Sequence, residues 1–522
     1  MSGIRPRTAW TSGLIAATSL TAALTATPAT AISGPQASAA VSAATARLDV
    51  GGQRGCSATL VAPQWLLTAA SCFTGTPGGT LEPGAPKLKT TATLGGSAQQ
   101  VVSLVPRTDR DVVMAQLAKP VSGITPVPVA GAAPGTGDEV QAAGYGRTHD
   151  EWVPGQAHAA AFTVQSVGTT TVDLAAKSDG AAICKGDTGG PALSTTGGHT
   201  AIVGVNSLSW QGGCLGTDPA ETRTGAVSAR VDDLSAWVQQ VAYSTAFAGA
   251  PWKHAVQMTA GYYTGGSAGG RRHMDLIVRW DDGEVTLYQG GEGNDSAHPF
   301  AAEYRLAAPK SIWAKALSLT SVHAGGGTDG LVVRWIDGEM TQYATVDAKG
   351  FHGEKQLAPP KNDTWKDDAQ LLVGGRFTPA GDRDDLLVVW KDGHVSVFGD
   401  LAANGLKKQA QIVAKNATWP YADQISTGSF TGKSTDDLLV RWRDGETTIY
   451  PGLTTGKALP GEIKVRPAKS AWADATVVTA GAFTANTTAD DLLVRWNDGH
   501  VSLYPAVNAK GLHDEVRLAP AN

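Results

Sequence analysis

Asp491-Leu-Leu-Val-Arg-Trp496-Asn-Asp-Gly499 is one of five copies of the same phrase. The others are Asp275-Leu-Ile-Val-Arg-Trp280-Asp-Asp-Gly283, Leu331-Val-Val-Arg-Trp335-Ile-Asp-Gly338, Asp385-Leu-Leu-Val-Val-Trp390-Lys-Asp-Gly393 and Asp437-Leu-Leu-Val-Arg-Trp442-Arg-Asp-Gly445. They recur about every 54 residues, a spacing that signals stacked supersecondary units. A second tryptophan keeps phase with them at Trp252, Trp313, Trp365, Trp419 and Trp472, so the repeat places ten of the fifteen tryptophans. In the last copy, stretches 476–483, 491–496, 500–504 and 515–518 read as strands, the middle two joined by an Asp-Gly turn that favours a tight hairpin. A four-stranded sheet cannot bury both faces alone, whereas five set radially share a core and protect their edges. Residues 252–522 are therefore expected to form a five-bladed β-propeller.

The rest of the chain has a different grammar. A length of 522 residues allows two large all-β units, and 63 glycines with 17% charged residues argue against both a helical bundle and a disordered chain. A net charge of -5 offers no basic field for a phosphate backbone, so nucleic acid is not an expected partner. Arg5 and Arg7, the apolar run 14–24 and Ala29-Thr30-Ala31 read as an export signal over residues 1–31. No other stretch is apolar enough to cross a bilayer, so the expectation is a secreted, extracellular protein with no membrane partner. All four cysteines, Cys56, Cys72, Cys184 and Cys214, lie in the first half, where an even count in an exported chain suggests disulfides over metal ligands. Short β-branched runs up to about residue 230 precede one amphipathic stretch, 231–241, with Leu234, Trp237, Val238 and Val241 at helical spacing. A linker is expected at 243–251.

Three local patterns in that half, Leu67-Thr-Ala-Ala-Ser-Cys72, Asp111-Val-Val-Met-Ala-Gln-Leu117 and Cys184-Lys-Gly-Asp-Thr-Gly-Gly-Pro191, occur in an order and at separations that resemble the trypsin/chymotrypsin family of serine peptidases over residues 32–242. The resemblance implies a double β-barrel closed by a helix, with disulfides Cys56–Cys72 and Cys184–Cys214. It also assigns roles. Asp111 stands where the family has its orienting carboxylate, but Ser71 stands at the histidine position and Thr188 at the nucleophile position. An alcohol titrates far above neutral pH and cannot act as a general base, and a β-branched threonine is crowded at a turn built for serine. Gly186 and Thr188 keep backbone N–H groups for an oxyanion hole. Asp187 is available to pair with an amino group exposed at Ile32 by cleavage after Ala31. Ala182, Ser209, Trp210 and Gln211 fall at the specificity pocket; with Ala182 in place of an acid, no preference for Lys or Arg is expected. His149 and His158 are the nearest histidines in sequence, in a surface loop, and are not expected to replace the missing base.

Peptidase turnover is therefore expected to be negligible, and the leading reading is a binding protein: an extended peptide or protein in the barrel cleft, added as a strand along 207–211, and a glycan or cell-wall component at the propeller. The rival readings are a serine-type endopeptidase of weak or unorthodox activity using Thr188, and a lectin-like propeller carrying the whole function. The repeats resemble propellers of secreted actinobacterial proteins and, more loosely, five-bladed lectins. Their Trp and Arg residues either form equivalent ligand pockets or pack between blades. The stretches Phe377-Thr-Pro-Ala-Gly-Asp-Arg-Asp-Asp385, Phe430-Thr-Gly-Lys-Ser-Thr-Asp-Asp437 and Phe483-Thr-Ala-Asn-Thr-Thr-Ala-Asp-Asp491 lack the alternating carboxylates that hold calcium, so no metal or other cofactor is expected.

Overall fold

The computed structural model describes residues 37–522, apart from positions 179, 324, 326, 380 and 486. The export signal at 1–31 and Ile32 lie outside the described residues. A short helix α1 (Ala39–Ala44) leads into the first closed barrel, made of β1 (Thr45–Val50), β2 (Arg54–Ala62), β3 (Trp65–Thr68), β4 (Thr90–Leu94), β5 (Ser97–Pro106) and β6 (Val113–Leu117) in the order β1-β2-β3-β6-β5-β4. Helix α2 (Ser71–Thr74) follows β3. The second barrel takes β7 (Glu139–Gly144), β8 (His158–Val167), β9 (Thr171–Ala176), β10 (Pro191–Thr196), β11 (His199–Ser209) and β12 (Ala226–Arg230) in the order β10-β11-β12-β9-β8-β7. Closure pairs the strands on both sides, except where β11 runs past β10 and Leu208 and Ser209 are paired to β12 alone. The disulfides are Cys56–Cys72 and Cys184–Cys214, the pairing that the resemblance implies.

Five four-stranded antiparallel sheets follow, at 255–307, 316–358, 369–413, 422–466 and 475–519. In the last of them the strands are Ala475–Gly481, Asp491–Trp496, Val501–Tyr504 and Val516–Ala519. The first stops short of Phe483 because the Phe483 and Thr484 N–H groups turn to donate to the Asp491 carboxylate, at 2.8 and 2.7 Å. The aspartate that opens each Asp-Leu-Leu strand is thus a buried clip. Asp385 does the same for Phe377 and Thr378, and Asp437 for Thr431. Hydroxyls seam the inner strands of neighbouring blades: Ser321 N donates to Thr259 Oγ1 (2.9 Å), Gly374 N to Thr320 Oγ1 (2.7 Å) and Ala480 N to Ser426 Oγ (2.8 Å).

The repeated turn glycine has a physical reason. Gly283, Gly338, Gly393, Gly445 and Gly499 all lie between φ 84° and 92°. A Cβ there would sit 2.1 Å from Asn362 O at Gly338 and 2.0 Å from Asn416 O at Gly393, where the next blade's chain crosses. Each repeat tryptophan also has a fixed task. The indole N–H of Trp280, Trp335, Trp390, Trp442 and Trp496 donates to the hydroxyl six residues on, at Thr286, Thr341, Ser396, Thr448 and Ser502 (2.8–3.2 Å). Its ring packs 5.3–5.5 Å from the second tryptophan of the same copy. The repeat arginines are buried stitches: Arg334 donates to Trp365 O, and Arg495 to Ala255 O, which closes the ring from the last blade to the first. Packing, with the indole N–H groups satisfied, accounts for the tryptophans; Arg334 and Arg441 each keep a buried Nε without a partner among the described residues.

The helix expected at 231–241 is present, and it runs on through most of the linker expected at 243–251. A 3-10 turn, Asp232–Leu234, runs into helix α3 (Ser235–Ala248), so most of the expected linker is helical. Trp237, Val238 and Val241 join the first barrel's core, while Phe247, one turn and a half further on, is buried among propeller residues. Its ring lies 4.6 Å from Trp252, 5.0 Å from Phe300 and 5.2 Å from Tyr288, and its carbonyl accepts the Trp252 indole N–H at 2.7 Å. A helix with apolar side chains for two cores has no reason to unwind between them. Among the described residues, no helix is long and apolar enough to cross a membrane.

Candidate functional site

The two barrels meet along a cleft of about 440 Å³ whose walls include Ser71, Gly186, Thr188, Ser207, Ser209 and Gln211. Ser71 opens α2, and Asp111 precedes β6; strand β3, paired with β6, brings them together. Asp111 Oδ1 accepts the Ser71 N–H at 2.7 Å, and Oδ2 accepts the Ser71 hydroxyl at 2.8 Å and the Ser207 hydroxyl at 2.5 Å. The carboxylate that would orient an imidazole holds two alcohols. Neither can take a proton from a nucleophile near neutral pH.

Thr188 sits in the tight turn ahead of β10. Ser57 fastens that turn from β2: its N–H donates to Thr188 O (2.8 Å), its hydroxyl donates to Gly186 O (2.8 Å) and accepts from Tyr145 N (2.8 Å). Gly189, at φ 87°, lets the turn pass so close to β3 that a Cβ would lie 2.1 Å from Thr68 Oγ1. Among the described residues the Thr188 hydroxyl has no hydrogen-bond partner, and the N–H groups of Gly186 and Thr188 take no acceptor, so both point their capacity at whatever occupies the cleft.

Asp187 lies beneath this turn, fully buried. Gly146 N donates to Oδ1 at 2.6 Å and Cys184 N to Oδ2 at 2.9 Å. Burial dominates these two bonds and pushes its carboxyl up to about 7. The pairing of Asp187 with Ile32 lies outside the described residues.

The expected specificity residues separate. Ser209 and Gln211 line the cleft, and Gln211 adopts φ 64°, a left-handed conformation costly for a side chain with a Cβ. Ala182 is buried against Cys184 and Cys214 and does not line the cleft. Trp210 also turns away: it is 55% exposed with the Arg223 guanidinium 3.6 Å above its ring. Neither is among the residues that wall the cleft. Among the described residues no histidine lines the cleft; His149 is exposed against Asp150, and His158 lies in β8. Ser57 and the bond from Ser207 to Asp111 were not legible in sequence, because nothing local marks a hydroxyl that reaches a turn more than 90 residues away.

The propeller carries recurrent rim cavities of about 500, 340 and 710 Å³ at its first, second and fourth blades. Each is walled by the repeat tryptophan, a tyrosine and two glutamates: Trp280, Tyr288, Glu284 and Glu303; Trp335, Tyr343, Glu339 and Glu354; Trp442, Tyr450, Glu446 and Glu462. In the other two blades the first glutamate is His394 or His500, stacked on Trp390 or Trp496 at 5.2 and 5.3 Å. Among the described residues, no group of three or more His, Cys, Asp or Glu is placed to hold a metal ion.

The trypsin family model matches residues 31–238, and that part of the chain is a trypsin-type domain. Among solved structures, neuropsin, a serine protease expressed in the limbic system of mouse brain, is 19% identical, with 40% of this chain and 98% of that chain covered at a TM-score of 0.31. No match is found among curated proteins.

Proposed function

We propose that this chain is a secreted binding protein whose trypsin-type domain holds an extended peptide without turning it over. The observation that carries this reading is the Ser71–Asp111 pair: the carboxylate is engaged by the Ser71 N–H and by the Ser71 and Ser207 hydroxyls, and the Thr188 hydroxyl has no base beside it. Losing one member of such a triad leaves roughly 10³ to 10⁴-fold acceleration over water, and losing two costs little more than losing one. The means of holding a peptide are intact. Along 207–211, one edge of the chain is paired to β12 (Ser209 with Ala226, Leu208 with Val227), and the cleft-facing side chains belong to Ser207, Leu208, Ser209 and Gln211. An extended segment can add there as a strand, its carbonyl held by the Gly186 and Thr188 amides. Secretion is supported by two disulfides and by the signal-like first 31 residues. Cleavage after Ala31 frees an amino group at Ile32 as a counter-charge for Asp187.

The test is fluorophosphonate labelling of the purified protein beside a Ser71→His plus Thr188→Ser variant. An unlabelled native protein and a labelled variant are expected. Labelling of the native chain at Thr188 would overturn the reading in favour of an endopeptidase. A second capture site, for a glycan or cell-wall component, is favoured by the threefold recurrence of the aromatic, carboxylate-edged rim cavities. Retention of the whole chain on peptidoglycan, lost in a Glu303→Gln, Glu354→Gln and Glu462→Gln variant that changes only exposed cavity residues and remains folded by circular dichroism, checks it.

A further inference from the structure

Charge is segregated in the trypsin-type domain. Between residues 37 and 250 carboxylates outnumber Lys and Arg, yet among the described residues the cleft wall contains Arg54, Arg147 and Lys185, and the carboxylate behind it, Asp111, is already engaged by Ser71 and Ser207. Elsewhere in the domain Arg107, Arg110, Lys177, Arg223 and Arg230 each face a carboxylate, while Arg47, Lys87, Lys89 and Lys119 are scattered and without an ion pair among the described residues; what sets the cleft apart is that its three cations converge on one cavity. The three cleft cations have no ion-pair partner among the described residues. They also stand on both banks. Arg54 comes from β2 of the first barrel, and Arg147 and Lys185 from loops of the second, joined by the bond from Arg147 N to Lys185 O at 3.0 Å.

Two of the three are braced. The Arg54 guanidinium donates from Nη2 to Phe73 O at 3.2 Å, and Arg147 donates from Nη1 to Leu215 O at 3.3 Å while lying 4.5 Å over the Trp152 ring. A guanidinium fixed through one N–H keeps others in a planar fork that matches a carboxylate, and it loses little side-chain freedom on binding. Lys185, exposed beside Gly186, adds a mobile point charge next to the Thr188 turn.

We infer that the occupant of this cleft is an acidic peptide, an extended segment with Asp or Glu on both sides of the residue that lies over Thr188. The inference rests on the peptide-binding reading of the same cleft and adds its chemistry. A neutral or basic segment would leave three unpaired cations in the wall and repel or ignore them; an acidic one neutralises them where water is partly excluded.

The experiment is selection from a phage-displayed random dodecapeptide library on the full-length protein, followed by anisotropy titration of synthetic copies of the winning clones at low and high salt. Asp and Glu are expected to be enriched at least about threefold over the starting library, with affinity falling at least about tenfold at high ionic strength. Binding should weaken at least about fivefold in an Arg54→Gln plus Lys185→Gln variant, whose unchanged melting temperature shows that it is folded. Clones of neutral or basic composition would overturn the charge inference and leave the peptide reading standing. Acidic clones indifferent to the double variant would place the site elsewhere and overturn it. A library that yields no binder would overturn the peptide reading, and this inference with it.

Discussion

Replacing Phe247 by alanine removes the ring that α3 buries in the first propeller blade. That ring is 3% exposed and touches Trp252, Phe300 and Tyr288 at centroid distances of 4.6, 5.0 and 5.2 Å. A buried Phe→Ala change costs about 3–5 kcal/mol, the transfer of the side chain plus the cavity left among rings that cannot collapse into it. With a urea slope near 3 kcal/mol/M for a unit of this size, the propeller's unfolding midpoint should fall by about 1–1.7 M. Tryptophan fluorescence reports the transition directly, because ten of the fifteen tryptophans lie in the repeat. Tyr243→Phe, on the same helix, serves as the control: it loses only the hydroxyl's 2.8 Å bond to Glu303, at an exposed site, and should shift the midpoint by a small fraction of that amount. A Phe247→Ala protein whose propeller transition moves no further than the control would refute the claim that the helix belongs to both cores.

Three further outcomes follow from the geometry. Asp187, buried and pushed up to about 7, keeps its proton in the folded chain at pH values where the unfolded chain has released it; in protein that retains the residues before Ile32, stability should fall as pH rises from about 4 to about 7, and Asp187→Asn should abolish that slope in urea midpoints. Gly189→Ala places a methyl 2.1 Å from Thr68 Oγ1 and 2.3 Å from Ser57 O at φ 87°, so a loss of at least about 2 kcal/mol is expected; a melting temperature equal to the parent's would contradict it. Thr448→Val leaves the Trp442 indole N–H without its 3.0 Å acceptor and should cost about 1–3 kcal/mol, against almost nothing for Thr455→Val at a partly buried loop, both read by thermal denaturation.

The propeller was legible because repetition multiplies a weak signal: a single Asp-Leu-Leu-Val-Arg-Trp is ambiguous, but five in phase with a second tryptophan admit few architectures. The site was legible as position, since Ser71, Asp111 and Thr188 stand in a recognisable order, and the chain brings them to one cleft. What sequence hid was direction. Trp210 follows Ser209 by one residue and yet stacks under Arg223, on the strand-like segment that 210 and 212 pair with, while Gln211 between them takes a positive φ. The repeat arginines read as ligand-pocket residues, yet they are engaged inside the propeller: Arg334 and Arg495 on backbone carbonyls of the next blade, Arg279 on Gln257 and Arg441 on Asp423. The linker expected at 243–251 failed for the opposite reason: small residues and glycine read as flexible, while a single Phe247, unremarkable in composition, anchors the helix to a second core.

That shared helix has a consequence for reach. A tethered pair of domains explores many separations, and whatever the tether's far end grips, the near end samples a volume around it. Here the cleft and the propeller rim are joined through side chains at 237, 238, 241 and 247 of one helix. If the rim is attached to a surface, the cleft does not wander over it; it is presented at one height and one heading, and proteolysis around residue 245 would have to open a packed helix before it could part the two.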